Sequence, residues 1–311
     1  MVFALIVVIF FFHFMTGGKM LIPQNINNLI SQNAYVFVLA AGMLLCILTG
    51  GNIDLAVGSV VCFVGGIGAV MMDKNIPSGI AVAVMLLGGL LVGAWQGFWI
   101  AYVKVPPFIA TLAGMYAFRG LSNVVLQGFT IGISNTTFLN MFGGGADCYV
   151  PDFFHGEGIN ITCILAGVII AAIYVAMVIK NRISAKAKGY DIGPAYSDAI
   201  KAVIISAVII WMFYMLANYK GIPAALIWIG VVLLAYGYIT SNTTMGRYLY
   251  AVGGNEKATN LSGIDSRKIY MFAYVNMGLM SGLAGILTIA RATQAQPTFG
   301  NLYEMDAIAA C

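Results

Sequence analysis

The sequence predicts an all-α, polytopic integral membrane protein, and three observations lead there. Of 311 residues, 61% are hydrophobic and only 8% are charged. The mean hydropathy of +0.93 means more apolar surface than a soluble domain of this length can hide. Apolar runs of near-spanning length recur along the chain, separated by polar stretches that carry almost all the charge.

The elements follow in order. Residues 1–15 are an apolar run containing His13, reaching about 22 Å at 1.5 Å per residue, short of the ~30 Å hydrocarbon core. With no basic leading segment and no small-residue cleavage site, it is expected to be a first span clipped at its start rather than a signal peptide. Residues 16–33 are polar. Spans are expected at 34–48 and 55–72, joined by Thr49-Gly50-Gly51-Asn52-Ile53-Asp54, too short to leave the membrane region by much. Asp54 reads first as the cap of the helix that follows. The next span, 79–103, carries Gly89, Gly93 and Gly97 at the spacing of a close-packing stripe. Trp95 and Trp99 share a face at i, i+4, as an interfacial belt or an aromatic wall for a ring-shaped solute, with Gln96 between them in sequence.

After the tight turn at Pro106-Pro107, span 108–126 places Arg119 about 16 Å along its axis, near the midplane. A mid-span arginine costs roughly 2.5–3.5 kcal/mol unless it faces protein or water, so it needs a partner: Asp54, Glu304 or Asp306. Residues 127–160 form an extracytoplasmic loop with Asp147, Asp152 and Glu157 and no Lys or Arg. Further spans are expected at 161–179, 202–217, 224–239 and 269–290, about nine in all within one permease domain covering 1–311. The apolar start at 308–311 leaves both ends expected to be cut.

Residues 241–268 form the long polar interval in the second half of the chain. Gly253-Gly254 is expected to break the chain and Asn255 to cap a miniature helix, Glu256 to Leu261, that Ser262-Gly263 stops. Ala258, Leu261 and Ile264 recur at i, i+3 and i+6, one apolar face ringed by Arg247, Lys257, Arg267 and Lys268. That is a knob suited to docking on a soluble partner; the plain alternative is a solvated connector.

Orientation follows from the basic residues. Alternating spans put Lys104, Lys180, Arg182, Lys186, Lys188, Lys201, Arg247, Lys257, Arg267 and Lys268 on one side, against Lys19, Lys74 and Lys220 on the other. The basic side is expected to be cytoplasmic, and the amino terminus with it. The net charge of +4 says nothing about nucleic acid, which is not expected as a partner; what matters is where the positives sit. There is no GxxxxGK[ST], so this chain binds no ATP through a Walker motif. No HExxH or GxSxG marks an intramembrane enzyme. Cys46, Cys62, Cys148, Cys163 and Cys311 show no metal spacing, with Cys148 and Cys163 either a disulfide or two free thiols.

Four segments together have a recognisable pattern: LTGGNIDLAVGSV (48–60), GAWQGFWIAYVKVPPFIATLAGMYAFRGL (93–121), GRYLYAVGGNEKATNLSGID (246–265) and AQPTFGNLYEMDAIAA (295–310). In these the chain resembles the membrane permease subunit of bacterial ABC-type monosaccharide importers, of the xylose, multiple-sugar and ribose types. The resemblance implies an inner-membrane protein that is not itself an enzyme and binds no cofactor, with ATP and Mg²⁺ on a partner ATPase. Further implied partners are a second permease copy, an extracytoplasmic sugar-binding protein and membrane lipid. Asn255, Ala258, Ser262, Gly263 and Ile264 match the loop by which such permeases engage the ATPase, and Glu256 and Leu261 belong to the same helix. A neutral sugar needs amides, hydroxyls and an aromatic face, for which Asn52, Asp54, Trp95, Gln96, Trp99, Arg119 and Asn123 are the path candidates. Ala56 and Thr259 depart from the pattern, as small residues of little expected consequence. The rivals are a proton-coupled carrier using His13, Asp54, Arg119 and Asp306 as a relay, and a passive channel that needs no docking helix.

Overall fold

A computed structural model describes residues 2–156, 158–189 and 194–311; Glu157 lies outside them. The described residues are mostly helical, with fourteen α-helices and one two-stranded ribbon. They divide into two compact units, Met1–Ile30 with Tyr149–Pro223, and Ser31–Cys148 with Ala224–Cys311.

The first unit holds α1 (Val2–Met15), most of α2 (Pro23–Gln32), α8 (Ile161–Ala187) and α9 (Ala195–Ala217). Helices α8 and α9 pack antiparallel: Gly167 lies against Phe213 near one end, and Arg182 pairs with Asp198 near the other. Asn160 caps α8 by accepting from the Cys163 amide at 2.9 Å. Cys148 and Cys163, the pair the sequence left open, are not joined in a disulfide.

The second unit is built around α13 (Ser266–Ala292), whose residues are buried almost without a break from Met277 to Ala290. It packs on α3 (Ala34–Leu48), α4 (Val57–Asp73) and α5 (Ser78–Ala101), with α6 (Pro107–Leu126) against α4. The seam between α5 and α13 explains the glycine stripe. A Cβ on Gly93 would stand 2.4 Å from the Tyr274 carbonyl oxygen, and one on Gly278 would stand 2.2 Å from that of Gly89. Only glycine lets these backbones come so close, and with no hydrophobic drive between helices in lipid that contact is what holds them.

Among the described residues six helices are long and apolar enough to cross a membrane, with a seventh span if α2 and α3 are counted as one broken span. Each of the nine expected stretches falls on a helix, the remaining two on α4 and α1. Helix α4 is apolar but has only 17 residues, and α1 only 14. The polar stretches are not featureless. Residues 16–33 contain α2, and 127–160 contain β1 (Ile131–Gly132) and α7 (Thr136–Phe142). β1 pairs antiparallel with β2 (Gln294–Ala295). Helix α10 (Ala224–Asn242) is followed after Thr243 by α11 (Thr244–Gly254), so Gly253-Gly254 ends a helix instead of breaking a loop. The chain closes with α14 (Tyr303–Ala310).

Candidate functional site

The short helix α12 (Glu256–Leu261) has the bounds its sequence predicts. Asn255 caps it, its side-chain oxygen accepting from the Ala258 amide at 3.0 Å. Ser262 and Gly263 then close it: the Gly263 amide donates to Asn260 O at 3.0 Å, with Gly263 at φ 86°, a backbone setting that favours glycine.

Three sets of contacts hold α12 to its neighbours. The Glu256 carboxylate accepts from Ser266 Oγ at 2.8 Å and from the Tyr270 hydroxyl at 3.1 Å, both on α13. Asn260 Oδ1 accepts from the Ser266 amide at 3.1 Å. Thr259 is the buried residue of α12, and its hydroxyl meets the Ala251 and Asn255 carbonyls, each at 2.8 Å. The side chain treated as an inconsequential departure is therefore the one that fastens α12 to α11. Helix α11 in turn abuts α3, since a Cβ on Gly253 would lie 2.0 Å from Leu48 O.

With Thr259 turned inward, the apolar face points the other way. Leu261 is 90% exposed, Ala258 is exposed and Ile264 is half-buried. The apolar face is thus presented outward instead of packed down. Lys104, Gly263, Ile264 and Arg267 line an open depression of about 440 Å³ beside it. Asp265 caps α13, and its hydrogen bond from the Arg267 guanidinium holds its carboxyl below the usual carboxylate range. A smaller cavity of about 170 Å³ brings Asn52, Lys104, Glu256, Arg267 and Tyr270 together. So the connection after α3, the α5–α6 turn and α12 meet at one end of α13.

The path candidates occupy differing surroundings. Asn52 sits beside α12 and donates to Thr49 O at 3.0 Å. Asp54 is buried and accepts from the Ala56 amide at 2.8 Å; α4 starts only at Val57, so Asp54 braces the turn before the helix without capping it. Gln96 is buried near Gly114 and Ala56. Trp95 and Trp99 are 45% and 40% exposed and meet edge to face, and Trp95 also packs against Phe118. Asn123 is exposed, with its amide on Arg119 O.

Arg119 corrects an expectation. Its guanidinium donates to two backbone carbonyls, Phe299 O at 2.6 Å and Pro297 O at 3.3 Å, and not to Asp54, Glu304 or Asp306. The non-helical segment 296–300 leaves carbonyls without helical partners, and a fixed cation satisfies them. The same segment packs tightly on α4, where a Cβ on Gly58 would stand 2.0 Å from Gly300 O.

Comparison with known proteins gives a consistent result. The profile of the family described as "Branched-chain amino acid transport system / permease component" matches residues 25–311. The chain is 33% identical to the xylose transport system permease protein XylH of Escherichia coli (strain K12), over 100% of this chain and 76% of that protein. It is 32% identical to XylH of Haemophilus influenzae, over 100% of this chain and 80% of that protein. With the ribose import permease protein RbsC of E. coli (strain K12) it shares 31% identity, over 92% of this chain and 68% of RbsC. No solved structure matches the chain.

Proposed function

From the premise that this chain belongs to that family of transport-system permease components, we propose that it is the membrane subunit of an ATP-driven monosaccharide importer. Two of its relatives are named for xylose and for ribose, so a pentose or hexose is the proposed cargo. Nucleotide is hydrolysed on a separate cytoplasmic subunit, two permease copies enclose the path, and an extracytoplasmic protein delivers the sugar.

One observation carries the ATP-driven part of the reading. Helix α12 presents an exposed apolar tip at Leu261 while Glu256, Thr259 and Asn260 bind its other side to α13 and α11. A partner that pushes on that tip pushes on the buried central helix of the unit. Closure of two ATPases on nucleotide can bias a path between inward-open and outward-open only through differential contacts of this kind. A channel or proton-coupled carrier has no use for such a knob. In this reading the α12 side is cytoplasmic, as the basic residues imply.

The test is to purify the chain with its natural neighbours, identify whether an ATPase accompanies it, and reconstitute the complex with labelled pentoses and hexoses. ATP-dependent uptake that survives a protonophore is the expected result. Uptake that collapses with the proton gradient at constant ATP, or a chain that carries sugar with no ATPase bound, contradicts it.

A further inference from the structure

At the far end of α13 from α12, roughly 32–39 Å along the helix by its rise, lies a cavity of about 430 Å³. It lies entirely within the second unit; no path candidate named above lines it, though Arg119 reaches one of its lining residues through Phe299 O. Its walls mix ring faces with hydrogen-bonding groups: Tyr35, Phe299 and Tyr303 supply aromatic surface, while Gln32, Thr288 and Arg291 supply an amide, a hydroxyl and a guanidinium.

The aromatic wall is held in place. The rings of Tyr35 and Tyr303 stack with centroids 3.8 Å apart and planes 15° from parallel. The Tyr35 hydroxyl donates to Asp306 Oδ2 at 2.7 Å, which fixes that ring from behind. A rigid double-ring platform next to amide and hydroxyl groups suits a ligand with an apolar C–H face and an equatorial rim of hydroxyls. Arg291 already has an interaction of its own within the chain, so the cavity does not call for an anionic ligand. The volume lies within the roughly 300–1,000 Å³ of small-molecule sites.

We infer that this cavity is a monosaccharide subsite of the permease itself, at the end of α13 opposite the ATPase-facing helix, with Tyr303 as its stacking platform and Gln32 at its rim. The inference rests on the importer reading and adds a location to it. The subsite gives the sugar a place to rest on the permease between release by the delivery protein and passage along the path.

The experiment uses the whole reconstituted complex and two readouts scored separately. Gln32, which is exposed, is replaced by cysteine in a Cys311→Ser background, removing the exposed native thiol, and labelled with a membrane-impermeant maleimide. Millimolar D-xylose or D-ribose is expected to slow labelling by about fivefold, and an acyclic polyol or L-leucine is expected to leave it unchanged. Adding Tyr303→Phe should keep the protection, and adding Tyr303→Ala should abolish it. Should Tyr303→Ala fail to assemble, the protection pattern of the Gln32→Cys protein alone decides. Equal labelling with and without sugar, in a complex that imports that sugar, overturns the subsite, as does protection by L-leucine in place of sugar. Protection in a complex that shows no ATP-dependent uptake carries the subsite and contradicts the importer.

Discussion

The Tyr270 hydroxyl, on the first turns of α13, donates to the Glu256 carboxylate at the start of α12 at 3.1 Å, across fourteen residues of chain. Together with Ser266 Oγ on the same carboxylate, this makes Glu256 the tie between the exposed short helix and the buried long one. Glu256→Ala is expected to cost about 1–3 kcal/mol of local stability, because two hydroxyls lose a charged acceptor. Hydrogen exchange should show faster opening of the 256–264 amides with α13 beyond its first turns unchanged. Transport per ATP hydrolysed in the complex should fall. Glu256→Gln, which keeps an acceptor, should sit between the two.

The α5–α13 seam should tolerate no side chain. Gly93→Leu drives carbon into the Tyr274 carbonyl and the Gly278 backbone, neither of which can rotate away. A loss of upwards of about 3 kcal/mol is expected, read as a lowered unfolding temperature in detergent. Gly79→Ala is the control, since a Cβ there meets nothing within 4 Å.

Arg119→Met should strand the Pro297 and Phe299 carbonyls, at a cost of about 2–3 kcal/mol. The expected signature is loosening of segment 296–300, seen as faster exchange and protease cleavage there. Because the partners are carbonyls, removing an acid should not copy the effect: Asp306→Asn is expected to leave that segment intact.

In the loop before α8 Asp152 accepts from the amides of Phe154, Gly156, Ile161 and Thr162 and from the Thr162 hydroxyl. Partial desolvation works to raise its carboxyl, but the bonds from Gly156, Thr162 and Phe154 outweigh it and hold it well below the usual carboxylate range. A depressed native pKa means the contribution is complete above the unfolded value of about 3.9 and is lost as pH falls through the native one. The Gly156 and Thr162 amides should therefore stay protected at pH 5 and open only in stronger acid. Asp152→Asn should remove that pH dependence.

What was legible in the sequence divides along physical lines. Helix α3 keeps both predicted bounds because an unbroken apolar run sits between Asn33 and Thr49. Helix α12 keeps its bounds because an Asn cap and a Gly stop are local signals. Helices α2 and α7 carry no long apolar run: α2 is mostly polar, and α7, though four of its seven residues are apolar, is too short to show a period. The periodicity of Ala258, Leu261 and Ile264 revealed a face and not which way it points. That was decided by Thr259, whose hydroxyl acts through backbone carbonyls that no side-chain pattern records. Arg119 announced a need for a partner, but carbonyls carry no sequence signature, so the acids nearest in chemistry were the wrong choice. The cavity beneath Tyr303 joins residues from α2, α3 and α13 that only the fold brings together.

The most direct measurement places a cysteine at Leu261, the most exposed large apolar side chain on the described chain, in the assembled complex. With a short bifunctional crosslinker, the account predicts a product joining this chain to the ATPase subunit, changing in yield between nucleotide-free and ATP-bound states. Leu261→Cys that reacts with an impermeant reagent from the extracytoplasmic side, and never joins an ATPase, would contradict it.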